Sequence, residues 1–224
     1  MILCLVTDRR RVCASGRFEA ARRCIVEQAR HAVEAGVDLV QIRERDLEAS
    51  ELVSLAADVV RLTRGTTTRV IVNDRLDVAL AAGADGVHLR ADSLPPSAAR
   101  SIAPAGFWIG RSVHRLDEAV RVALDVDYLI AGTVFSTPSK PDDAPLLGVG
   151  GLSSIAGAVR VPVLAIGGIS IERIGQIAEA GAAGVAAVGL FIGHHRAETS
   201  CRAVPLVGVV GPARRQFDSM KTAS

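Results

Sequence analysis

The 224-residue chain has no apolar run of the roughly 18 residues that a membrane helix needs, which argues against a membrane span. It has no imbalance of charge either: the formal net charge is +2, which argues against nucleic acid or a membrane surface as partner. Its four cysteines, Cys4, Cys13, Cys24 and Cys201, have no C-x-x-C spacing, so they read as reduced and structural. Lysine is nearly missing. Of 26 basic residues only Lys140 and Lys221 are lysines, the rest being arginine, which singles out Lys140. Aromatics make up 3% of the chain. A signal peptide would place its charges ahead of its apolar part, whereas Met1 to Asp8 reads as a strand followed by Arg9-Arg10-Arg11, so a cytoplasmic protein is expected.

What is present is a sheet builder's composition. Hydrophobic residues reach 49%, mostly Ala, Val, Leu and Ile, which suits helices layered on a parallel sheet. A chain of this length buries about 70–75% of its unfolded surface and needs no staple. One phrase recurs: Ala35-Gly36-Val37-Asp38-Leu39-Val40, Ala82-Gly83-Ala84-Asp85-Gly86-Val87 and Ala180-Gly181-Ala182-Ala183-Gly184-Val185, with a looser copy at 125–130. Each reads as a helix end, a glycine cap and a buried strand. Strands are expected at Ile2–Val6, Leu39–Arg43, Val70–Val72, Gly86–Leu89, Trp108–Ser112, Tyr128–Ala131, Pro162–Ile166 and Gly184–Val188, with helices between them. Pro205, Gly208, Gly211 and Pro212 leave a last helical stretch within 196–220 weakly defined. The expectation is an α/β fold, one (β/α)8 TIM barrel over 1–224, with an irregular tail from about 194. A doubly wound open sheet is second, because Thr7-Asp8-Arg9 carries no Gly-rich nucleotide fingerprint.

In a barrel the active residues follow the strand C-termini. After the second strand comes Gln41-Ile42-Arg43-Glu44-Arg45. Two guanidiniums two residues apart on a strand share a face, and each offers a planar fork suited to phosphate. Ile166-Gly167-Gly168-Ile169 and Val188-Gly189 offer open backbone at the seventh and eighth strand ends, where barrels commonly bind phosphate. The loop Thr133 to Pro141 gathers Thr137, Ser139 and Lys140 between prolines. Asn73 suits a heterocycle, and Asp74 either holds a cation or caps the next helix and pairs with an arginine. His114, with Ser112 beside it, is the natural general acid or base, whereas His88 reads as packed.

Taken together, Leu5-Val6-Thr7-Asp8, Gln41–Arg45, Asn73-Asp74-Arg75, Ala84–Leu89, Thr137–Lys140 and Ile166–Ile169 resemble the thiamin phosphate synthase and TenI-type thiazole tautomerase superfamily over roughly residues 2–190. The resemblance implies the same barrel and a thiazole phosphate ligand held by Gly167, Gly168, Val188 and Gly189. For a synthase, which joins a pyrimidine pyrophosphate to thiazole phosphate and releases pyrophosphate, it implies substrate contacts from Gln41, Arg43, Asn73, Ser112, Thr137 and Lys140. It also implies Mg with Asp74 as ligand. Arg45 stands where synthases have lysine, Gly189 where they have serine, and Ser93 where they have a second metal-binding aspartate; Asp92 falls one residue early. These departures, with Gly110-Arg111-Ser112-Val113-His114, lean toward the tautomerase branch, in which the histidine moves protons to aromatise a carboxylated dihydrothiazole phosphate and no cofactor is needed. The tautomerase is therefore the leading expectation and the synthase the alternative. A silent thiazole or thiamin phosphate sensor stands third, and a homo-oligomer remains open.

Overall fold

The computed structural model describes residues 1–137, 145–193 and 201–221. Eight parallel strands close into a barrel in sequence order: β1 (Ile2–Val6), β2 (Leu39–Ile42), β3 (Arg69–Asn73), β4 (Gly86–Leu89), β5 (Trp108–Val113), β6 (Tyr128–Gly132), β7 (Val163–Ile166) and β8 (Gly184–Ala187). The helices are α1 (Arg9–Val12), α2 (Phe18–Glu34), α3 (Ala49–Thr63), α4 (Leu76–Ala82), α5 (Pro96–Ile102), α6 (Leu116–Val122), α7 (Gly148–Ala158), α8 (Ile174–Glu179) and α9 (Val207–Lys221). No helix among the described residues is long and apolar enough to cross a membrane.

Period-two alternation along the strands divides the core in two. Cys4, Val6, Leu39, Ile71, Tyr128, Ile130, Leu164 and Ala186 fill the barrel interior. Leu3, Leu5, Val40, Ile42, Val70 and Val72 face outward and pack with Ile25, Leu55 and Val59 of the helices. Fully burying one such Leu, Ile or Val contributes roughly 1.5–3 kcal/mol.

The recurring Ala-Gly-x-Asp phrase has a mechanical basis. Gly36, Gly83 and Gly181 take positive φ (76°, 67° and 83°) and turn each helix end toward the next strand. In the first two copies the aspartate that follows clasps the start of the preceding strand, and Asp127 does the same in the glycine-free copy at 125–130. Asp38 Oδ2 accepts from Leu3 N (2.8 Å), Asp85 Oδ2 from Val70 N (2.7 Å) and Asp127 Oδ2 from Ile109 N (2.7 Å). Each bond satisfies a donor at the foot of a strand and pins neighbouring strands against each other.

Three local differences from the sequence reading stand out. The four-residue α1 is absent from it, being too short for a periodic signal; the Asp8 carboxylate accepts from Arg10 N and Arg11 N and starts it. The second strand ends at Ile42, so Arg43 and Arg45 leave the sheet and share no strand face. The tail after Cys201 is not irregular throughout: α9 runs unbroken for 15 residues with Pro212 inside it. Packing overrides the helix breakers, since Val210, Ala213 and Phe217 are buried in the core. Arg214 fastens the helix to the barrel foot through Met1 O (2.7 Å), Gly36 O (2.7 Å) and Asp38 Oδ2 (2.9 Å). The cysteines match their reading as buried thiols at Cys4, Cys13 and Cys24, and burial, with Cys201 and Cys13 nearby, pushes the Cys24 thiol up.

Candidate active site

A cavity of about 1090 Å³ opens at the C-terminal ends of the strands. Gln41, Arg43, Arg45, Asn73, Ser112, His114, Thr137, Gly167, Gly168, Val188 and Gly189 all line it. Ser139 and Lys140 lie outside the described residues. Asp74 lines a separate hollow beside it, together with Arg45, Asn73, Arg75 and Arg90.

One end of the mouth is ionic. Glu44, which the sequence reading passed over, organises it. Its buried carboxylate accepts from Thr7 Oγ1 (2.7 Å) and Arg9 N (3.1 Å) and pairs with Arg9 Nη1 (3.3 Å). Thr7 Oγ1 in turn accepts from Arg43 N (3.0 Å), so the ends of β1 and β2 are tied together. Burial pushes the Glu44 carboxyl up, and the bonds from Thr7 and Arg9 oppose it. Burial, and then the charge of Arg45, push the Arg43 guanidinium down. A cation held under that pressure gains from any anion that arrives.

Asp74 sits at φ 64°, the one non-glycine residue with positive φ among the described residues. It does not cap α4. Its carboxylate accepts from Arg90 N (3.5 Å) and pairs with Arg90 Nη1 (3.4 Å). Arg90 also binds the exposed Asp92, through Nε at 3.0 Å and through Nη2. The arginine thus stands between the two carboxylates, and no group of three or more His, Cys, Asp or Glu suited to a metal ion occurs among the described residues.

The floor is neutral. Gln41 lines the cavity yet is 2% exposed, and its buried Nε2 has no hydrogen-bond partner among the described residues. Such a donor costs about 1–3 kcal/mol until something accepts from it, as a ligand would. His88 is buried as read, and it also reaches the site: Nε2 lies 2.8 Å from Ser112 Oγ and Nδ1 3.3 Å from Tyr128 Oη. Burial, and then the charge of Arg111, push its pKa down to about 3, so it stays neutral. The Tyr128 ring fills the space that a β-carbon on Gly110 would take, at 2.2 Å. That support for Ser112 has no signature in linear sequence.

At the far wall, His114 is exposed to the cavity. Its Nδ1 hydrogen-bonds to Gly132 O, and its backbone N donates to Glu118 Oε2 (2.8 Å). A carbonyl only accepts, so Nδ1 carries a proton in this bond. The remaining end of the mouth is backbone. Gly167 and Gly168 have φ of 101° and 61°, and a β-carbon there would meet Thr133 Cγ2 or Ser136 O at 2.4 Å. The N–H groups of Gly168 and Ile169 donate to nothing among the described residues, which leaves two backbone donors of the kind that suits an anion.

A closed barrel with polar strand ends around one cavity defines a TIM-barrel enzyme. The chain belongs to the thiamine monophosphate synthase family, whose model matches residues 3–191. It is 42% identical over 177 residues to a thiamine-phosphate synthase of Methanoculleus marisnigri, covering 79% of this chain and 84% of the relative. A thiamine-phosphate synthase of Roseiflexus castenholzii is 37% identical over 204 residues, covering 91% and 86%. The solved thiamine phosphate pyrophosphorylase of Pyrococcus furiosus superposes with a TM-score of 0.78 at 31% identity, covering 98% of this chain and 96% of that one. These names favour the second of the two enzyme expectations over the tautomerase.

Proposed function

We propose that the protein is a thiamine-phosphate synthase, joining a hydroxymethylpyrimidine pyrophosphate to a thiazole phosphate with release of pyrophosphate. The observation that carries this reading is that the mouth has two anion-holding ends of different construction. Arg43, Arg45 and Arg90 gather at the ends of β2 to β4, and the glycine backbone lies at β7 and β8. A tautomerase substrate brings one phosphate and needs one such end. Two anionic substrates that must meet need both, and names of the relatives point the same way.

In this reading the backbone of Gly167, Gly168, Val188 and Gly189 holds the thiazole phosphate. Arg43 and Arg45 hold the pyrophosphate and stabilise the charge that gathers on it as its bond to the pyrimidine methylene breaks. Gln41 Nε2, Asn73 and Ser112 position the rings between them, and Thr137, Ser139 and Lys140 contribute from the loop after β6. A magnesium ion would reach the site with the pyrophosphate, since Mg²⁺ is usually held by one or two carboxylates plus substrate phosphates. Asp74, at the edge of the cavity, would be its protein ligand, and both Asp74 and Asp92 would reach it only by releasing Arg90, while Ser93 offers no charge. The ion would neutralise the leaving group.

The tautomerase remains a second reading for one reason: His114 lines the cavity with its Nδ1 anchored on Gly132 O, a side chain suited to proton transfer. A paired assay on the wild-type protein separates the two. Pyrophosphate release from both synthase substrates with magnesium, retained within about threefold in His114→Ala, supports the synthase. Aromatisation of carboxylated dihydrothiazole phosphate that disappears in the same variant would replace it with the tautomerase.

A further inference from the structure

The three arginines of α1 are employed differently. Arg9 is held by Glu44 and by Asp46, with Nη1–Oδ1 and Nη2–Oδ2 both at 2.5 Å. Arg10 Nη2 donates to Asp46 Oδ2 at 2.7 Å. The Arg11 guanidinium has neither a hydrogen bond nor an ion pair among the described residues, and it lines the cavity.

Its direction is set from both sides. The Asp8 carboxylate accepts from the backbone of Arg10 and Arg11 (3.2 and 3.3 Å) and holds the short helix in place. Across the cavity, Arg11 Nη2 lies 3.3 Å and Nη1 3.9 Å from the position that a β-carbon would take on Gly189. The missing side chain at 189 leaves room for the guanidinium at the β8 end of the mouth. There it lines the same cavity as Gly168 and Ile169, whose N–H groups are open; Asp8 and Glu172 also line it, but the Asp8 carboxylate is engaged by the backbone of α1 and neither carboxylate pairs with the Arg11 guanidinium among the described residues.

We propose that Arg11 is the side-chain anchor of the phosphate group bound at the β7–β8 end, its fork completing a cradle otherwise made of backbone. The proposal rests on the reading that this end holds the thiazole phosphate, and it is common to the synthase and the tautomerase. The residue recognises the phosphate and takes no part in bond making.

Calorimetry on the full chain with thiazole phosphate and with the unphosphorylated thiazole alcohol tests it. Wild type should prefer the phosphate. Arg11→Ala should bind thiazole phosphate about 10–100-fold more weakly, the range of one lost charge-assisted contact, and the alcohol within about twofold of wild type. Arg11→Lys should recover part of the loss, restoring charge without the fork. Wild-type preference for the phosphate that survives intact in Arg11→Ala would overturn the role of Arg11 and leave the phosphate site standing. Equal loss of both ligands would also overturn it, by marking a structural effect. No preference for the phosphate in wild type would remove the underlying reading and this proposal with it.

Discussion

The two ends of the mouth solve one problem with different materials. At β2 to β4 an anion would meet side chains: Arg43 and Arg45 stand free of the sheet, and Arg90 is shared between Asp74 and Asp92. At β7 and β8 it would meet mainly backbone, with Gly167 and Gly168 in conformations that L side chains rarely adopt. Side-chain charge is adjustable, and solvent and salt weaken it. Backbone donors are fixed by the fold, and no substitution can restore them once the turn is lost. A site built both ways has one end tuned by sequence and one tuned by geometry.

Gly168→Ala should break this contrast most severely. Its β-carbon would sit 2.4 Å from Ser136 O, a backbone atom that cannot swing aside. Strain of this kind costs about 1–3 kcal/mol, and thiazole phosphate affinity should fall by at least about 100-fold as the donors turn away. Calorimetry together with a thermal melt checks both, and near-wild-type binding would show that the backbone end is not the phosphate site. Arg43→Ala should act on the other end. Charge-assisted bonds contribute about 1.5–3 kcal/mol each, so kcat/KM for the pyrophosphate substrate should drop roughly 10–100-fold, with a weaker dependence on salt than wild type. An equal effect on the KM of thiazole phosphate would erase the distinction between the ends.

The floor that spans them answers to pH. His88 has a pKa of about 3 in the folded protein, against about 6.5 when unfolded. As pH falls the unfolded chain takes up the proton first. The stability that His88 contributes is complete above pH 6.5 and drains away between 6.5 and 3, by roughly 2–3 kcal/mol at pH 4.5. Urea denaturation at pH 7 and pH 4.5 should show this loss in wild type and a smaller one in His88→Gln. Matching losses would assign the acid sensitivity elsewhere.

The barrel was legible because its signal is repeated. A helix end, a glycine and a strand recur along the chain, and the expected strand ends fall within one residue of those observed. The residues at strand ends were legible for the same reason, since a barrel assigns its ligands to one rim. Contacts between distant segments were not. Glu44 under Thr7, Tyr128 in the space left by Gly110, and Arg11 beside Gly189 each depend on two positions that no local pattern connects. Helix α9 was obscured for a related reason: its breakers are local, and the packing that overrules them comes from elsewhere in the chain. The choice between synthase and tautomerase turned on departures at Ser93 and His114, and relatives named for one activity weigh more than single missing ligands.

The aspartate clasps at 38, 85 and 127 have a consequence for how such a protein can change. They lock the stagger of the strands from below, at the rim farthest from the ligand. The opposite rim thereby carries less of the work of holding the cylinder closed, although Thr7 and Glu44 still tie β1 to β2 there. Loops there can lengthen, lose a carboxylate or exchange a serine for a glycine while the staves keep their alignment. A lineage with this foundation can explore new chemistry at one mouth without renegotiating its architecture.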